Sequence, residues 1–352
     1  MPVRGSRESL TLIELHGRAI QVHIGVIGAG SWGTTLANLL AGKGFTVTLW
    51  AYEAELVSSM AAHSENSLYL PGIPLSRNII PTGSLEEAAG NKDLLFLVTP
   101  SHAIRQTVQK IAAHLPARTM MVSASKGIEN RSLLTMSAVI RDELGLRDGQ
   151  RLAVLSGPTF ALEVSRKIPS AVTLASENQP LAREIQQILS TPFFHVYTNT
   201  DVTGVELGGA LKNVIAIAAG ISDGLLFGYN TRAALITRGL AEISRLALKM
   251  GADRHTLSGL SGLGDLVLTC TGELSRNRTV GIRLGRGEAL EDITRDMRTV
   301  AEGIRTAESA HDLSIKMGIP MPITEQVFTI IRGRTNPKDA VMELMTRDLK
   351  DE

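Results

Sequence analysis

The feature that most constrains this chain is a glycine-rich turn between an apolar strand and a helix. Residues 22–33 read Val-His-Ile-Gly-Val-Ile-Gly-Ala-Gly-Ser-Trp-Gly, and a helix-like stretch follows. In this spacing Gly28 permits a tight turn, Gly30 lets the backbone approach a pyrophosphate, and Gly33 lets the helix pack close to the strand. The pyrophosphate would lie at the helix N-terminus, where free N–H groups and the helix dipole favour negative charge. The sequence therefore predicts a dinucleotide-binding domain.

Composition argues against several other classes of function. The 352 residues include 36 basic and 35 acidic side chains, and this balance argues against a nucleic-acid or anionic-membrane surface. The single cysteine, Cys270, excludes a disulfide framework and suits a reducing cytoplasm. No apolar run reaches the length of a membrane span, and residues 1–20 do not resemble a signal peptide. We expect a cytoplasmic protein with an N-terminal extension that is poorly ordered at its start.

The order of the predicted elements changes near residue 200. Before that point strands alternate with helices, which indicates a mostly parallel sheet with helices on both faces. After Gly204 the periodicity is helical, with hardly a strand candidate. We therefore predict an extension over 1–20, an α/β Rossmann-like domain over 21–200 and an all-α domain over 201–350. Besides the strand before the glycine turn, the predicted strands are Thr46–Trp50, Asp93–Val98, Thr119–Ser123, Leu152–Leu155, Ala171–Ala175 and Phe194–Tyr197. The predicted helices of the second domain are Val205–Gly220, Thr231–Met250, Leu290–Asp296, Ile304–Met317 and Ala340–Leu349.

Two candidate binding loops follow predicted strands. Lys126 precedes Gly127 at the carboxyl end of one strand, where it faces the crevice that binds ligands in such sheets. The alternative is a solvated loop lysine. The segment Ser156-Gly157-Pro158-Thr159 follows another strand and combines a rigid turn with a hydroxyl group. A binding loop is favoured there over a plain structural turn.

Lys212 is the candidate catalytic residue. It lies in the predicted helix Val205–Gly220, and its neighbours one turn away include Gly208, Gly209 and Ala216. Two glycines in a helix interior cost about 1 kcal/mol each relative to alanine, so a close approach of another body is expected to compensate. Apolar surroundings disfavour the ammonium form and lower the pKa of a lysine toward a useful range. The alternative is a lysine that extends from a core helix to solvent.

A second charged group is expected near Lys212. Asp265 lies in an apolar, glycine-flanked stretch, where a carboxylate usually has a partner, and Lys212 is a plausible one. Arg276 and Asn277 follow shortly and suit a phosphate or a carboxylate, although a solvated loop would look similar. The eight histidines show no metal-like spacing, so no metal is predicted.

These segments in this order resemble the bacterial-type NAD(P)-dependent glycerol-3-phosphate dehydrogenases, over about residues 21–350. The resemblance implies reversible reduction of dihydroxyacetone phosphate to sn-glycerol 3-phosphate, a role in phospholipid synthesis, and a homodimer. The motifs that carry it are Gly28-Ala-Gly-Ser-Trp-Gly-Thr-Thr-Leu-Ala37, Ser125-Lys126-Gly127, Ser156-Gly-Pro-Thr-Phe-Ala161, Glu206-Leu-Gly-Gly-Ala-Leu-Lys-Asn213, Gly264-Asp265-Leu and Arg276-Asn277.

The resemblance also implies roles for particular residues. Lys212 would be the proton donor and acceptor. The substrate would be held by Lys126, Gly157, Thr159, Lys212, Asp265, Ser275, Arg276 and Asn277. The cofactor, NAD or NADP, would lie against Gly28, Gly30, Ser31, Trp32, Gly33, Tyr52, Lys126, Ala161, Arg276, Val300 and Glu302.

The choice between NAD and NADP stays open. An acid at the end of the second strand suits a ribose 2′-hydroxyl, and a nearby arginine suits a 2′-phosphate. Here that region reads Trp50-Ala51-Tyr52-Glu53, whereas members of the resembling family commonly have a basic residue in place of Tyr52. Glu53 could bind the ribose or cap the next helix.

Two alternative functions remain. β-Hydroxyacid dehydrogenases also combine a Rossmann domain with a helical domain that carries a lysine on its first helix, but they need a carboxylate site instead of a phosphate site. A nucleotide-sensing module would bind the cofactor without turnover.

Overall fold

The computed structural model of the protein describes residues 12–15, 18–147, 150–297 and 301–346. The strands in these ranges are β1 (Leu12–Leu15), β2 (Arg18–Gln21), β3 (Ile24–Ile27), β4 (Val47–Trp50), β5 (Ile79–Thr82), β6 (Leu94–Leu97), β7 (Met120–Ser123), β8 (Leu152–Ser156), β9 (Ser170–Ala175) and β10 (Phe194–Asn199). The helices are α1 (Ser31–Gly42), α2 (Ala54–His63), α3 (Leu85–Ala89), α4 (Ile104–Ile111), α5 (Met136–Leu144), α6 (Ala161–Ser165), α7 (Gln179–Leu189), α8 (Val202–Gly224), α9 (Gly228–Lys249), α10 (Arg254–Leu257), α11 (Asp265–Thr271), α12 (Arg276–Gly285), α13 (Leu290–Asp296), α14 (Glu302–Met317), α15 (Pro322–Ile331) and α16 (Pro337–Met345).

Eight of the strands form one sheet in the order β10-β9-β8-β7-β6-β3-β4-β5. All neighbours pair in parallel except β8 and β9, which are antiparallel. Leu94 and Phe96 of β6 belong to one apolar cluster, and Leu95 and Leu97 belong to another. Because alternate residues of a strand point to opposite faces, both faces of the sheet are covered, which explains the continuous apolar run of this strand.

The strand order reverses between β3 and β6. The chain moves outward from β3 through β4 to β5, then returns to place β6 on the other side of β3. In open parallel sheets, ligands bind beyond the carboxyl ends of the strands at such a reversal. The glycine turn follows β3, so it lies at this position.

Helix α8 forms the core of the helical part of the chain. It begins after Asp201, whose carboxylate caps the helix by accepting a hydrogen bond from the Gly204 N–H at 2.8 Å. It is buried over nearly its whole length, and α9, α11, α12 and α14 pack around it. Among the described residues α8 is the one helix whose length and composition would allow it to cross a membrane, but its apolar window is entirely buried within the protein. A helix that is hydrophobic all round is expected in such a core.

The predicted fold class is confirmed, with differences in individual elements. All the predicted strands are present, and no strand follows Asn199 in the described part of the chain. Strand β5 was not predicted, since Pro81 interrupts its short apolar run. Strands β1 and β2 pair antiparallel within the predicted extension and reach one residue beyond it, where Gln21 pairs with Leu12. The expected disorder at its start concerns residues 1–11, which lie outside the described residues.

Most helix predictions were close, and the differences lie at the ends. Helix α8 starts three residues earlier than predicted, because Asp201 supplies its cap. Helix α14 starts at Glu302 rather than at Ile304, and α9 starts at Gly228 rather than at Thr231. The last helix spans Pro337–Met345 instead of Ala340–Leu349, and residues 347–349 lie outside the described residues.

Candidate active site

The glycine turn has the geometry that its spacing predicts. Gly28 has a φ of +117°, and a Cβ atom there would lie 2.7 Å from the Val98 carbonyl oxygen. A Cβ on Gly33 would lie 1.9 Å from the Gly28 carbonyl oxygen, so only glycine allows α1 to pack this closely. A Cβ on Gly30 would meet no atom of the described residues within 4 Å. The turn is therefore crowded at its first and third glycines and open at its second.

The open side of the turn fits a pyrophosphate. Helix α1 begins at Ser31 with no side-chain cap and no acidic residue in its first turn, so its N-terminal N–H groups stay available to an anion. Trp32 is half-buried, with its ring centroid 6.3 Å from that of Phe194. Thr35, also in α1, donates a hydrogen bond to the carbonyl oxygen of Ala161 at 3.2 Å. Ser31, Trp32 and Ala161, which are predicted to contact the cofactor, thus lie on or against this helix.

Lys212 is buried in α8 and bonded to α11. Its ammonium group donates to one oxygen of the Asp265 carboxylate, and to the Thr269 hydroxyl at 2.9 Å. Burial lowers the pKa of Lys212 to about 7, while the negative charge of Asp265 acts in the opposite direction and the positive charge of Lys126 adds to the lowering. An ammonium group has three N–H donors. These two bonds use two of the three.

The two glycines beside Lys212 have the close neighbours that the sequence predicts. A Cβ on Gly208 would lie 2.6 Å from the Ser261 carbonyl oxygen, and one on Gly209 would lie 2.5 Å from the Ser156 hydroxyl. The sheet therefore touches α8 at Gly209, and the segment before α11 touches it at Gly208. This close approach is the compensation for two glycines in a helix interior.

Asp265 lies between two lysines that come from different elements. It begins α11, directly after a π-helical turn over Leu260–Gly264, a feature that often occurs at functional sites. Its second carboxylate oxygen accepts a hydrogen bond from Lys126 at 2.7 Å, and Lys126 also donates to the Gly157 carbonyl oxygen at 3.3 Å. The structure thus brings Lys126, Gly157, Lys212 and Asp265 together. The predicted partnership of Asp265 with Lys212 is present, and the partnership with Lys126 is an addition.

Thr269 was missed in the sequence. Its hydroxyl accepts from Lys212 and donates to the Asp265 carbonyl oxygen at 2.6 Å. The available signal was its position four residues after Asp265, which places both side chains on the same face of a helix. A threonine at that spacing has a routine structural alternative, because its hydroxyl often bonds the carbonyl one turn earlier.

Ser275, Arg276 and Asn277 form the start of α12. The Ser275 hydroxyl caps the helix by accepting from the Arg278 N–H at 3.2 Å. Asn277 donates to the Asn213 side-chain oxygen at 3.0 Å and accepts from the Gly303 N–H at 2.9 Å. Asn213 is the neighbour of Lys212, so these bonds connect α12 to the lysine helix. Ser275 and Asn277 are buried, whereas Arg276 reaches the surface.

Thr159 and Glu302 lie on two further segments near the crevice. The Thr159 hydroxyl donates to the Gly157 carbonyl oxygen at 3.2 Å, which holds the turn after β8. Glu302 begins α14 and accepts a hydrogen bond from the Ser101 hydroxyl at 2.6 Å. Partial removal of the guanidinium from water lowers the pKa of Arg276, and the negative charge of Glu302 acts to raise it. Val300 lies outside the described residues.

Tyr52 and Glu53 follow β4, next to the glycine turn. The Gly28 N–H donates to the Trp50 carbonyl oxygen at 3.1 Å, and the Tyr52 side chain is 83% exposed. Glu53 accepts a hydrogen bond from the Tyr69 hydroxyl at 2.6 Å and makes no side-chain cap to α2. Burial and this bond to Glu53 raise the pKa of Tyr69 to about 12. The capping role that was considered for Glu53 is therefore absent.

In the described part of the chain, neither the single thiol nor a metal cluster adds to this site. Cys270 is fully buried, and burial raises the pKa of its thiol to about 12, so it stays protonated at neutral pH. No three His, Cys, Asp or Glu side chains gather as possible metal ligands in the ranges that the structure describes.

Comparison with known proteins decides the family. Residues 23–182 match the family model described as NAD-dependent glycerol-3-phosphate dehydrogenase N-terminus, and residues 201–342 match the corresponding C-terminus. The chain belongs to the NAD-dependent glycerol-3-phosphate dehydrogenase family. The family that the sequence motifs predicted is confirmed, together with its oxidoreductase class and its NAD(P) cofactor class.

Individual relatives agree with this family. The chain is 59% identical over 329 residues to the glycerol-3-phosphate dehydrogenase [NAD(P)+] of Geobacter sulfurreducens, a match that covers 94% of this chain and 98% of the relative. The protein of the same name from Syntrophotalea carbinolica is 55% identical over 94% of this chain and 99% of its own length. The solved glycerol-3-phosphate dehydrogenase of Coxiella burnetii is similar with a TM-score of 0.89 and 41% identity, over 93% of this chain and 99% of that one.

Proposed function

We propose that this protein catalyses reversible hydride transfer between NAD(P)H and dihydroxyacetone phosphate, giving sn-glycerol 3-phosphate for phospholipid synthesis. The observation that carries the proposal is the cluster of buried Lys212 and Asp265 with half-buried Lys126 beside the carboxyl ends of the strands. Reduction of a ketone leaves negative charge on its oxygen, and a proton donor with a second positive group stabilises that charge. Lys212 can supply the proton, and Lys126 is the second positive group.

The nucleotide fits the glycine turn and the first turn of α1. Gly28, Gly30, Ser31, Trp32 and Gly33 would hold the pyrophosphate end, because the space beside Gly30 is open and the helix N-terminus is uncapped. When bound, the nicotinamide supplies the hydride that reaches the substrate carbon. Lys126 and Ala161 would border the cofactor from the sheet side, and Arg276 and Glu302 from the helical side.

The start of α12 fits the substrate phosphate. The Ser275 hydroxyl accepts a hydrogen bond but does not use its own proton in that bond, and the Asn277 side chain uses one of its two amide N–H groups. The serine proton and the second amide N–H are therefore left for a ligand. Together with the Arg276 guanidinium these are all donors, which is what the acceptor oxygens of a phosphate require. The N-terminus of α12 adds a favourable dipole. Anchoring the phosphate here would orient the carbonyl group toward Lys212.

Lys212 would move the proton. In the reduction its third N–H would donate to the substrate oxygen, and in the oxidation the neutral amine would accept the hydroxyl proton. Asp265 and Thr269 hold the amine in one orientation through the other two donors. Lys126 remains a fixed positive charge on the opposite side of Asp265. Gly157 and Thr159 would contact the substrate from the turn after β8.

The direct test is oxidation of NADH and of NADPH with dihydroxyacetone phosphate, run side by side with purified protein. We expect turnover with dihydroxyacetone phosphate. For the alternative enzyme class, 3-hydroxy acids are assayed with NAD⁺ and NADP⁺, and we expect little or no activity. Turnover of 3-hydroxy acids alone would identify a β-hydroxyacid dehydrogenase. Cofactor binding with no turnover of either substrate would identify a nucleotide-sensing module.

The two reaction directions are expected to depend on pH in opposite ways. Since burial lowers the pKa of Lys212 to about 7, the ammonium form predominates below that pH and the amine above it. Reduction needs the ammonium form, so its kcat/KM is expected to fall about tenfold per pH unit above the pKa. Oxidation needs the amine, so its kcat/KM is expected to fall in the same way below the pKa. Initial rates in both directions across pH measure this, and profiles of the same sign would contradict it.

The exposed Tyr52 is expected to influence the choice of cofactor. A Tyr52→Arg variant places a guanidinium where an arginine can pair with a 2′-phosphate. We expect the ratio of kcat/KM for NADPH to that for NADH to rise about tenfold, which corresponds to about 1.4 kcal/mol. Tyr197→Arg, at an exposed tyrosine of β10, is the matched control. An equal change in both variants would show that Tyr52 does not face the 2′ position.

The assembly and location of the protein are part of the same proposal. The resemblance to the family supports a cytoplasmic homodimer with a nucleotide domain over 21–200 and a helical domain over 201–350. Light scattering after size-exclusion chromatography measures the mass in solution, and a monomer at assay concentration would contradict the dimer.

A further inference from the structure

Ser101 connects two halves of the crevice that are far apart in sequence. It follows β6, the strand beside the chain reversal, and it opens a short 3₁₀ turn that leads into α4. Its hydroxyl donates to one oxygen of the Glu302 carboxylate at 2.6 Å, and its backbone N–H approaches the other oxygen at 3.4 Å. The two residues are 201 positions apart. Ser101 is 4% exposed, whereas Glu302 is only partly buried.

The Ser101 side chain is confined by its surroundings. A Cβ on Gly127 would lie 2.6 Å from the Ser101 Cβ, and Gly127 has a φ of +150°. Ser101 therefore packs directly against the backbone of the loop that carries Lys126. Thr306, one turn after Glu302, has a buried hydroxyl at the same place, and this hydroxyl has no hydrogen-bond partner among the described residues. The Ser101 hydroxyl thus lies between the Lys126 loop and the first turn of α14.

The first turn of α14 also holds the start of α12. Gly303, the residue after Glu302, donates its N–H to the Asn277 side chain at 2.9 Å. One helical turn is therefore bonded on one side to Ser101 and on the other to the segment with Arg276 and Asn277. The Glu302 carboxylate is stabilised there by the N-terminus of its own helix and by the N–H of Ser101.

We propose that Ser101 is a positioning residue, which holds the Glu302 carboxylate at the nucleotide crevice and so aligns the Lys126 loop with the start of α12. A carboxylate accepts hydrogen bonds, and the hydroxyl and amide donors of a dinucleotide are its natural partners. A Glu302 side chain without Ser101 would sample several rotamers, and binding would have to order it at an entropic cost. The proposal rests on the proposed function only in taking a nicotinamide dinucleotide as the ligand.

The test is a double-mutant cycle with Ser101→Ala, Glu302→Gln and the double variant. Because Glu302 stays partly accessible to water, loss of the serine hydroxyl leaves no fully buried charge, and we expect Ser101→Ala to fold with an unchanged thermal midpoint. We expect its KM for NAD(P)H to rise about tenfold, while kcat changes less than about threefold. The double variant is expected to resemble Glu302→Gln alone, since the serine acts through the glutamate.

Ser132→Ala is the matched control. Ser132 donates to the Glu129 carboxylate at 2.5 Å, a second serine–glutamate pair in the same loop as Lys126, but Glu129 stays bonded to Arg105 when Ser132 is changed. We expect its KM values to match those of the wild type. Fully additive effects of Ser101→Ala and Glu302→Gln, or equal effects of Ser101→Ala and Ser132→Ala, would overturn the proposal.

A direct measurement separates this proposal from the proposed function. The dissociation constant of NADH or NADPH, followed by quenching of tryptophan fluorescence, needs no turnover. We expect about tenfold weaker binding in Ser101→Ala. Suppose that the wild type does not reduce dihydroxyacetone phosphate but that Ser101→Ala binds the nucleotide more weakly. This result would contradict the proposed function and support the role of Ser101. If the wild type is active and Ser101→Ala binds the nucleotide as tightly as the wild type, the proposed function is supported and the role of Ser101 is contradicted.

Discussion

Lys212→Ala is expected to lower kcat for the reduction of dihydroxyacetone phosphate by about 10²–10⁴-fold, the range that a positioned general acid contributes. The structure provides the reason, because the Lys212 ammonium has one N–H left after its bonds to Asp265 and Thr269. The affinity for NAD(P)H should change little, since the glycine turn lies on another part of the fold. Steady-state rates with saturating cofactor measure the effect.

Two further variants serve as controls for Lys212→Ala. One keeps the positive charge at position 212, and the other removes a lysine elsewhere in the protein. Lys212→Arg keeps a positive charge but does not release a proton at neutral pH, so we expect it to remain strongly impaired. Lys249→Ala removes an exposed lysine at the end of α9, and its rates should match those of the wild type. A Lys212→Ala protein that keeps its activity within about tenfold, roughly 1.4 kcal/mol of barrier, would show that Lys212 is not the proton donor.

Asp265→Asn is expected to give the largest loss of stability, about 3–5 kcal/mol, as is usual when one partner of a buried ion pair is removed. Asp265 is 1% exposed and its carboxylate bonds both Lys126 and Lys212. Without it two positive charges face each other in a buried site. Lys212 would then favour its neutral form, so the reduction should slow at neutral pH and its pH profile should move to lower pH.

Thermal unfolding and pH–rate profiles measure these two consequences of Asp265→Asn. The loss of stability should be smaller at pH 9 than at pH 6, because Lys212 is already neutral at pH 9 in the wild type and its ion pair with Asp265 is then not there to be lost. Asp292→Asn breaks an exposed ion pair with Arg295 and serves as the control, with little measurable change expected. A midpoint in Asp265→Asn equal to that of the wild type at both pH values would contradict the argument.

Local patterns allowed much of the fold and part of the site to be predicted. The roles of Gly28 and Gly33 follow from the backbone of one turn, so a short window of sequence contains the whole cause. The close approach of other segments to α8 beside Lys212 was predicted in the same way, because the small neighbours of this lysine lie one helical turn away on the same element. The parallel character of the sheet followed from the alternation of strands and helices.

Contacts between distant segments could not be predicted in this way. The antiparallel pairing of β8 with β9 depends on how the chain returns to the sheet, which no local pattern encodes. Thr269 gave only a routine helical signal. The bond from Ser101 to Glu302 joins residues 201 positions apart, and neither residue has a neighbour in sequence that indicates the other.

The sequence by itself determined which chemistry the chain could carry: a turn for a pyrophosphate, a lysine among small residues, and donors suited to a phosphate. Only the tertiary structure decided how these groups act together. It placed Asp265 between Lys126 and Lys212, left one lysine N–H free of those bonds, and lowered the pKa of Lys212 to about 7. The physical reason is that local backbone preferences act over a few residues, whereas burial and charge depend on every segment that packs around a group.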